Sequence, residues 1–105
     1  MEKYHSVIFI MYDLPVKKTE ERKRAGRFRR DIKRMGYQCI QESVYVKLIN
    51  NVKSVKNEIK NIEDKAPKIG NVRAFSMTVS DFRNIKTISG ENLRMDYLTD
   101  DIIIV

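Results

Sequence analysis

Between His5 and Ser80 the apolar residues repeat at strand spacing, then helix spacing, then strand, strand, helix and strand once more, and that order leaves few folds open. HSVIFIMYD, residues 5–13, is an apolar run of strand length. Asp13 closes it with Pro15, which biases Leu14 away from helix and offers no amide hydrogen. The run predicts a buried strand, central in its sheet. Thr19 then precedes Glu20 and Glu21 as an N-cap before two first-turn acids, where the helix dipole favours them. Ala25, Phe28, Ile32 and Met35 follow at helical spacing until Gly36 stops the helix.

YQCIQESVYVKLI returns to β-rich residues, with Gln41, Glu42 and Ser43 as a tight turn between two short strands. Val52, Val55, Ile59 and Ile62 mark a second helix, opened after Asn50 and Asn51 and ended near Ala66 and Pro67. NVRAFSMTVS is a last strand with Phe75, Met77 and Val79 on one face. The order βαββαβ predicts an α+β, ferredoxin-like sandwich, an antiparallel sheet with both helices on one side.

Residues 1–80 complete that ferredoxin-like domain, and residues 81–105 form a C-terminal extension of the same single domain, ending in DDIIIV. Ile102 to Val105 is β-branched and apolar, a segment that would be a sticky edge if left free. It is expected to pair as an additional strand with a second subunit's sheet. A homodimer also suits the size, because 105 residues with 42% hydrophobic content make one domain with a thin core.

The single cysteine, Cys39, has no partner for a disulfide and is expected to be a reduced, buried thiol. MEKYHS lacks the order of a signal peptide, and the longest apolar run, Val7 to Tyr12, is too short to span a bilayer. A cytoplasmic protein without membrane association is expected.

The charge is concentrated. From Lys17 to Arg34 ten basic residues face three acids, a net +7 that equals the charge of the whole chain. Such a local positive field fits a polyanion. Some of these side chains must pair with Glu20, Glu21 and Asp31 at helical spacing, but ten against three leaves many free. Arg27, Arg30 and Arg34 lie along one stripe, offset from the apolar one, with Arg24 nearby; Lys17 and Lys18 sit in the loop beside Asp13. Contacts from these side chains to phosphate would give affinity without base specificity.

Asp13 admits two readings. Aspartate commonly ends strands because its side chain caps turn amides. It is also an oxygen donor for Mg²⁺ or Mn²⁺, which takes one or two carboxylates and completes its shell with water and phosphate. One carboxylate in one chain is thin. Two Asp13 side chains brought together at a two-fold axis would make a paired site whose repulsion a divalent cation relieves. Tyr12 could orient a phosphate, pack or face solvent, and Ser43 could approach the site or simply serve the turn. With His5 as the sole histidine, zinc and histidine acid–base chemistry are nearly excluded. No aromatic pair has the spacing of an RNA-recognition sheet.

The strand ending in YDLP, the helix TEERKRAGRFRRDIKRMGY, the QESVY stretch, APKIGNVR before the final core strand and the strand-like tail together resemble the CRISPR-associated Cas-two (Cas2) proteins, in order and over nearly the whole chain. The long tail is most similar to versions from type II systems. The resemblance implies a ferredoxin-like homodimer that bridges dimers of the Cas-one integrase during spacer acquisition and contacts double-stranded protospacer DNA. It also implies a metal-dependent endonuclease on RNA or double-stranded DNA, with the aspartate after the first strand, here Asp13, as metal ligand and catalytic residue. The alternatives are a stand-alone toxin-type ribonuclease similar to virulence-associated protein D, and a small-molecule regulatory domain, against which the basic helix argues.

Overall fold

A computed structural model of the chain describes residues 4–93. The expected strand at Ile102 to Val105 lies outside the described residues. Within them the elements run β1 (Ser6–Asp13), α1 (Thr19–Arg34), β2 (Gln38–Gln41), β3 (Val44–Ile49), α2 (Val52–Lys65), β4 (Asn71–Thr78) and α3 (Val79–Arg83). The strands form one sheet in the order β2-β3-β1-β4, with every pair antiparallel, which is the α+β, ferredoxin-like arrangement. β1 occupies an interior position, flanked by β3 and β4, and Val7, Ile8 and Ile10 are wholly buried.

Burial on both faces is what the unbroken apolar run of β1 provides. Ile8 and Ile10 point into the layer made with Phe28 and Ile32 of α1 and Ile62 of α2. Val7 and Phe9 point the other way, toward Val46, Val79 and Phe82. Each such side chain contributes about 1.5–3 kcal/mol on full burial.

α1 begins one residue earlier than the acids suggested. Thr19 is its first helical residue, not its N-cap; that position falls to Lys18, whose amide donates to the Glu21 carboxylate at 2.8 Å. The Glu21 half of a capping box thus does the work for which Thr19 was expected. At the other end Gly36 adopts φ +99°, the Gly36 amide donates to the Lys33 carbonyl, and the Tyr37 amide donates to that of Ile32. This is the paired-bond glycine stop, sealed by the apolar contact of Tyr37 with the core around Ile32. α2 opens on Asn51, whose side chain accepts from the Ser54 amide.

Two further expectations are corrected. Val79 is not a strand residue: β4 ends at Thr78, whose hydroxyl accepts from the Asp81 amide and starts α3, and Val79 and Phe82 turn back under the sheet. Cys39 is exposed, not buried. It lies on β2, an edge strand of four residues with a register irregularity between Cys39 and Gln41, so no further strand covers it among the described residues. Its thiol donates to the Gln41 carbonyl at 3.1 Å.

Candidate functional site

The antiparallel register sorts the site residues onto two faces. Side chains alternate along a strand, and residues directly opposite share a face. Asp13 therefore lies with Val7, Phe9 and Met11 on the face away from α1 and α2, opposite Asn71, while Met11 stands between Val44 and Arg73. α3 covers the Val7 end of this face. Among the described residues the Asp13 end is open: Met11 is 42% and Phe75 40% exposed, although Phe75 stacks on Phe9 at 5.0 Å. Ile85 and Ile88, both exposed, line one groove with Phe9, Met11 and Phe75.

Asp13 is itself exposed, at the last position of β1. Its backbone is tightly held. Gly70 passes so close that a Cβ there would meet the Asp13 carbonyl at 2.8 Å and a Leu14 methyl at 2.9 Å. The following loop is braced by Arg22, which donates to the carbonyls of Val16 and Lys17 at 3.1 and 2.9 Å and to the Thr19 hydroxyl. Arg22 is thus a loop brace, and it sets where Lys17 and Lys18 stand. Among the described residues no group of three or more His, Cys, Asp and Glu side chains could hold a metal ion. Asp13 suits a hard cation as a solvent-open oxygen donor, but the described residues of one chain supply a single carboxylate there.

Tyr12, next in the chain, faces the helices. Its ring meets Phe28 edge-on at 5.3 Å and stacks on Tyr45 at 6.0 Å, so it packs rather than facing the Asp13 side. Burial first, and then the hydrogen bond with Tyr12, push the Tyr45 phenol well above its ordinary range. The Tyr12 amide donates to the Ser43 carbonyl at 3.1 Å, which brings the β2–β3 turn to the end of β1. Ser43, at φ 61°, lines a groove with Tyr12, Arg29, Cys39 and Tyr45 on the helix side. Its backbone approaches the site, and its turn role is real.

The basic residues divide as the charge count required. Arg22 braces the loop, Lys23 pairs with Glu20 at 3.7 Å, and Arg34 pairs with Asp31 at 3.9 Å. Of the ten cations between Lys17 and Arg34, seven then have no ion-pair or hydrogen-bond partner among the described residues: Lys17, Lys18, Arg24, Arg27, Arg29, Arg30 and Lys33. Arg24 and Arg27 lie on the α2 side of α1 and Arg29 on the β2 side. Sequence reasoning missed Asn71 and Arg73 beside Asp13, and Arg29 on the second flank; only the β1–β4 register and the seating of α1 reveal them.

Comparison with known proteins gives one consistent result. The sequence profile of the family described as CRISPR associated protein Cas2 matches residues 6–85. A CRISPR-associated endoribonuclease Cas2 of Campylobacter jejuni is 34% identical over 83 residues, covering 79% of this chain and 58% of that protein. Proteins of the same name from Ligilactobacillus salivarius and Treponema denticola are 33% and 31% identical, over 83% and 93% of this chain and 86% and 97% of their own lengths.

Proposed function

The chain belongs to the CRISPR-associated protein Cas2 family, and from that membership we propose a dimeric nucleic-acid-binding protein of CRISPR adaptation that also carries a magnesium-dependent endonuclease site at Asp13. The observation that carries the binding role is the set of seven cations on and before α1 that have no partner among the described residues. Point charges without a base-reading surface give sequence-independent affinity for phosphate, as a protein that must accept any protospacer duplex requires. Lys17, Lys18, Arg24, Arg27 and Arg30 are the contacts, with Arg34, whose own side chain is exposed, available once it leaves its long 3.9 Å pairing with Asp31. The Cas-one integrase is the partner in spacer acquisition.

Dimerisation rests on the open sheet face. Met11, Phe75, Ile85 and Ile88 expose apolar surface on the side that also holds Asp13. A second copy laid on this face buries that surface and brings two Asp13 carboxylates toward one axis. Mg²⁺, or Mn²⁺ in its place, would be held by the two Asp13 side chains; when bound it supplies a polarised phosphodiester and a water acidified for attack. Asp13 and Tyr12 point to opposite faces, so phosphate binding by α1 does not depend on the Asp13 surface. The endoribonuclease names of the relatives favour RNA as the strand cut, with double-stranded DNA as the strand held.

The test of the binding role is salt dependence. Arg27→Gln with Arg30→Gln should lower affinity for duplex DNA equally across sequences and reduce the slope of log K against log salt by about 0.9 per lost contact. An unaltered slope would remove α1 from the binding surface.

A further inference from the structure

We propose that Arg24 and Arg27 of α1 and Lys65 of α2 form a notch that seats one backbone phosphate of the bound nucleic acid, carrying the binding surface off α1 onto the end of α2. The inference rests on the nucleic-acid-binding reading above and adds a residue from an element to which that reading gave no role.

The topology makes the notch. β1 and β3 are antiparallel, so the helices that follow them run in opposite directions across the sheet, and the middle of α1 lies beside the last turn of α2. There Arg24, Arg27, Phe28, Lys65 and Pro67 surround a cavity of about 150 Å³. That is room for a hydrated phosphate group. Its floor is the buried ring of Phe28, and Pro67 fixes the chain as it leaves α2.

Among the described residues no carboxylate lines this cavity. All three cations are exposed, and none has an ion-pair or hydrogen-bond partner among the described residues. Three like charges around one opening repel each other, and an anion seated between them turns that cost into attraction. The helix dipole accounts for Lys65, which stands in the last turn of α2 where a cation is favoured. It does not account for Arg24 and Arg27, which stand in the middle of α1, clear of the last turn where the dipole favours cations. The occupant is a polymer of phosphates because the notch continues into the free cations of α1: Arg27 belongs to both, one helical turn from Arg30.

The experiment is a salt titration of the 105-residue chain on a fluorescent duplex DNA of mixed sequence, comparing wild type, Lys65→Gln, Lys65→Arg and the Arg27→Gln, Arg30→Gln pair. Lys65→Gln should flatten the slope of log K against log salt by about 0.9, and Lys65→Arg should restore it. A Lys65→Gln variant that binds with the wild-type slope while the arginine pair loses its own overturns the notch and leaves the wider reading in place. Wild-type binding that does not respond to salt overturns both. If Lys65 only complements the dipole, Lys65→Gln lowers the melting temperature without changing the slope, which also rejects the notch.

Discussion

Asp13 stands directly opposite Asn71, the last paired residues of the β1–β4 ladder, and Gly70 at φ +97° carries the chain into that pairing across the Asp13 carbonyl. The position of the carboxylate is thereby tied to a turn that only glycine fills. Gly70→Ala should cost about 1–3 kcal/mol, from the left-handed backbone and the close carbonyl together. Thermal unfolding would register this, and any Asp13-dependent cleavage should weaken in the folded fraction. A melting temperature equal to wild type would show that the turn relaxes freely.

The bare sheet face makes a second prediction. Met11 is 42% exposed, so Met11→Lys should leave the monomer folded while placing a charge where a second copy is proposed to pack. Sedimentation velocity should show the dimer shifting to monomer. A dimer of undiminished stability would move the interface elsewhere.

A third concerns the network beneath α2. Lys47 and Tyr37 both reach Glu58, at 3.0 and 2.9 Å, and the Lys47 ammonium lies over the Tyr37 ring at 5.6 Å. Glu58→Ala strands a buried hydroxyl and a half-covered ammonium, at a cost of about 1–3 kcal/mol measured by urea unfolding. Burial first, and then the Glu58 charge and hydrogen bond, raise the Tyr37 phenol well above its ordinary range. A raised folded value stabilises below the unfolded phenol's value of about 10 and is lost as pH climbs above it. The urea midpoint should therefore fall above about pH 10, and fall less in Tyr37→Phe, with Tyr45 accounting for the remainder. A midpoint flat with pH, or an equal fall in Tyr37→Phe, would refute this role for Tyr37.

The sequence carried the order of the elements because each period was long and cleanly bounded: Pro15, Gly36, the Asn50–Asn51 pair and Pro67 each interrupt a run where an element in fact ends or begins. It could not show the edge position of β2, and Cys39, flanked by apolar and amide residues, was misplaced into the core for that reason. Val79 kept strand alternation in sequence while Thr78 capped a helix, a local hydrogen bond that overrides the pattern. Asp13 and the free arginines were legible as residues, but their separation onto two faces is a matter of register. Arg22 shows the same limit, since its use as a loop brace depends on carbonyls brought near by the fold.

The metal-ligand assignment of Asp13 is tested most directly by Asp13→Asn. Amide and carboxylate have nearly equal volume, the side chain is exposed, and asparagine ends a strand as well as aspartate does, so fold and melting temperature should hold. Cleavage of RNA or duplex DNA should be measured with Mg²⁺ and with Mn²⁺, alongside the salt slope of duplex binding on the same preparation. The expected result is cleavage lost with either metal and a binding slope equal to wild type, because the cations of α1 lie on the other face. Metal-dependent cleavage at the wild-type rate by a well-folded Asp13→Asn protein would contradict the assignment.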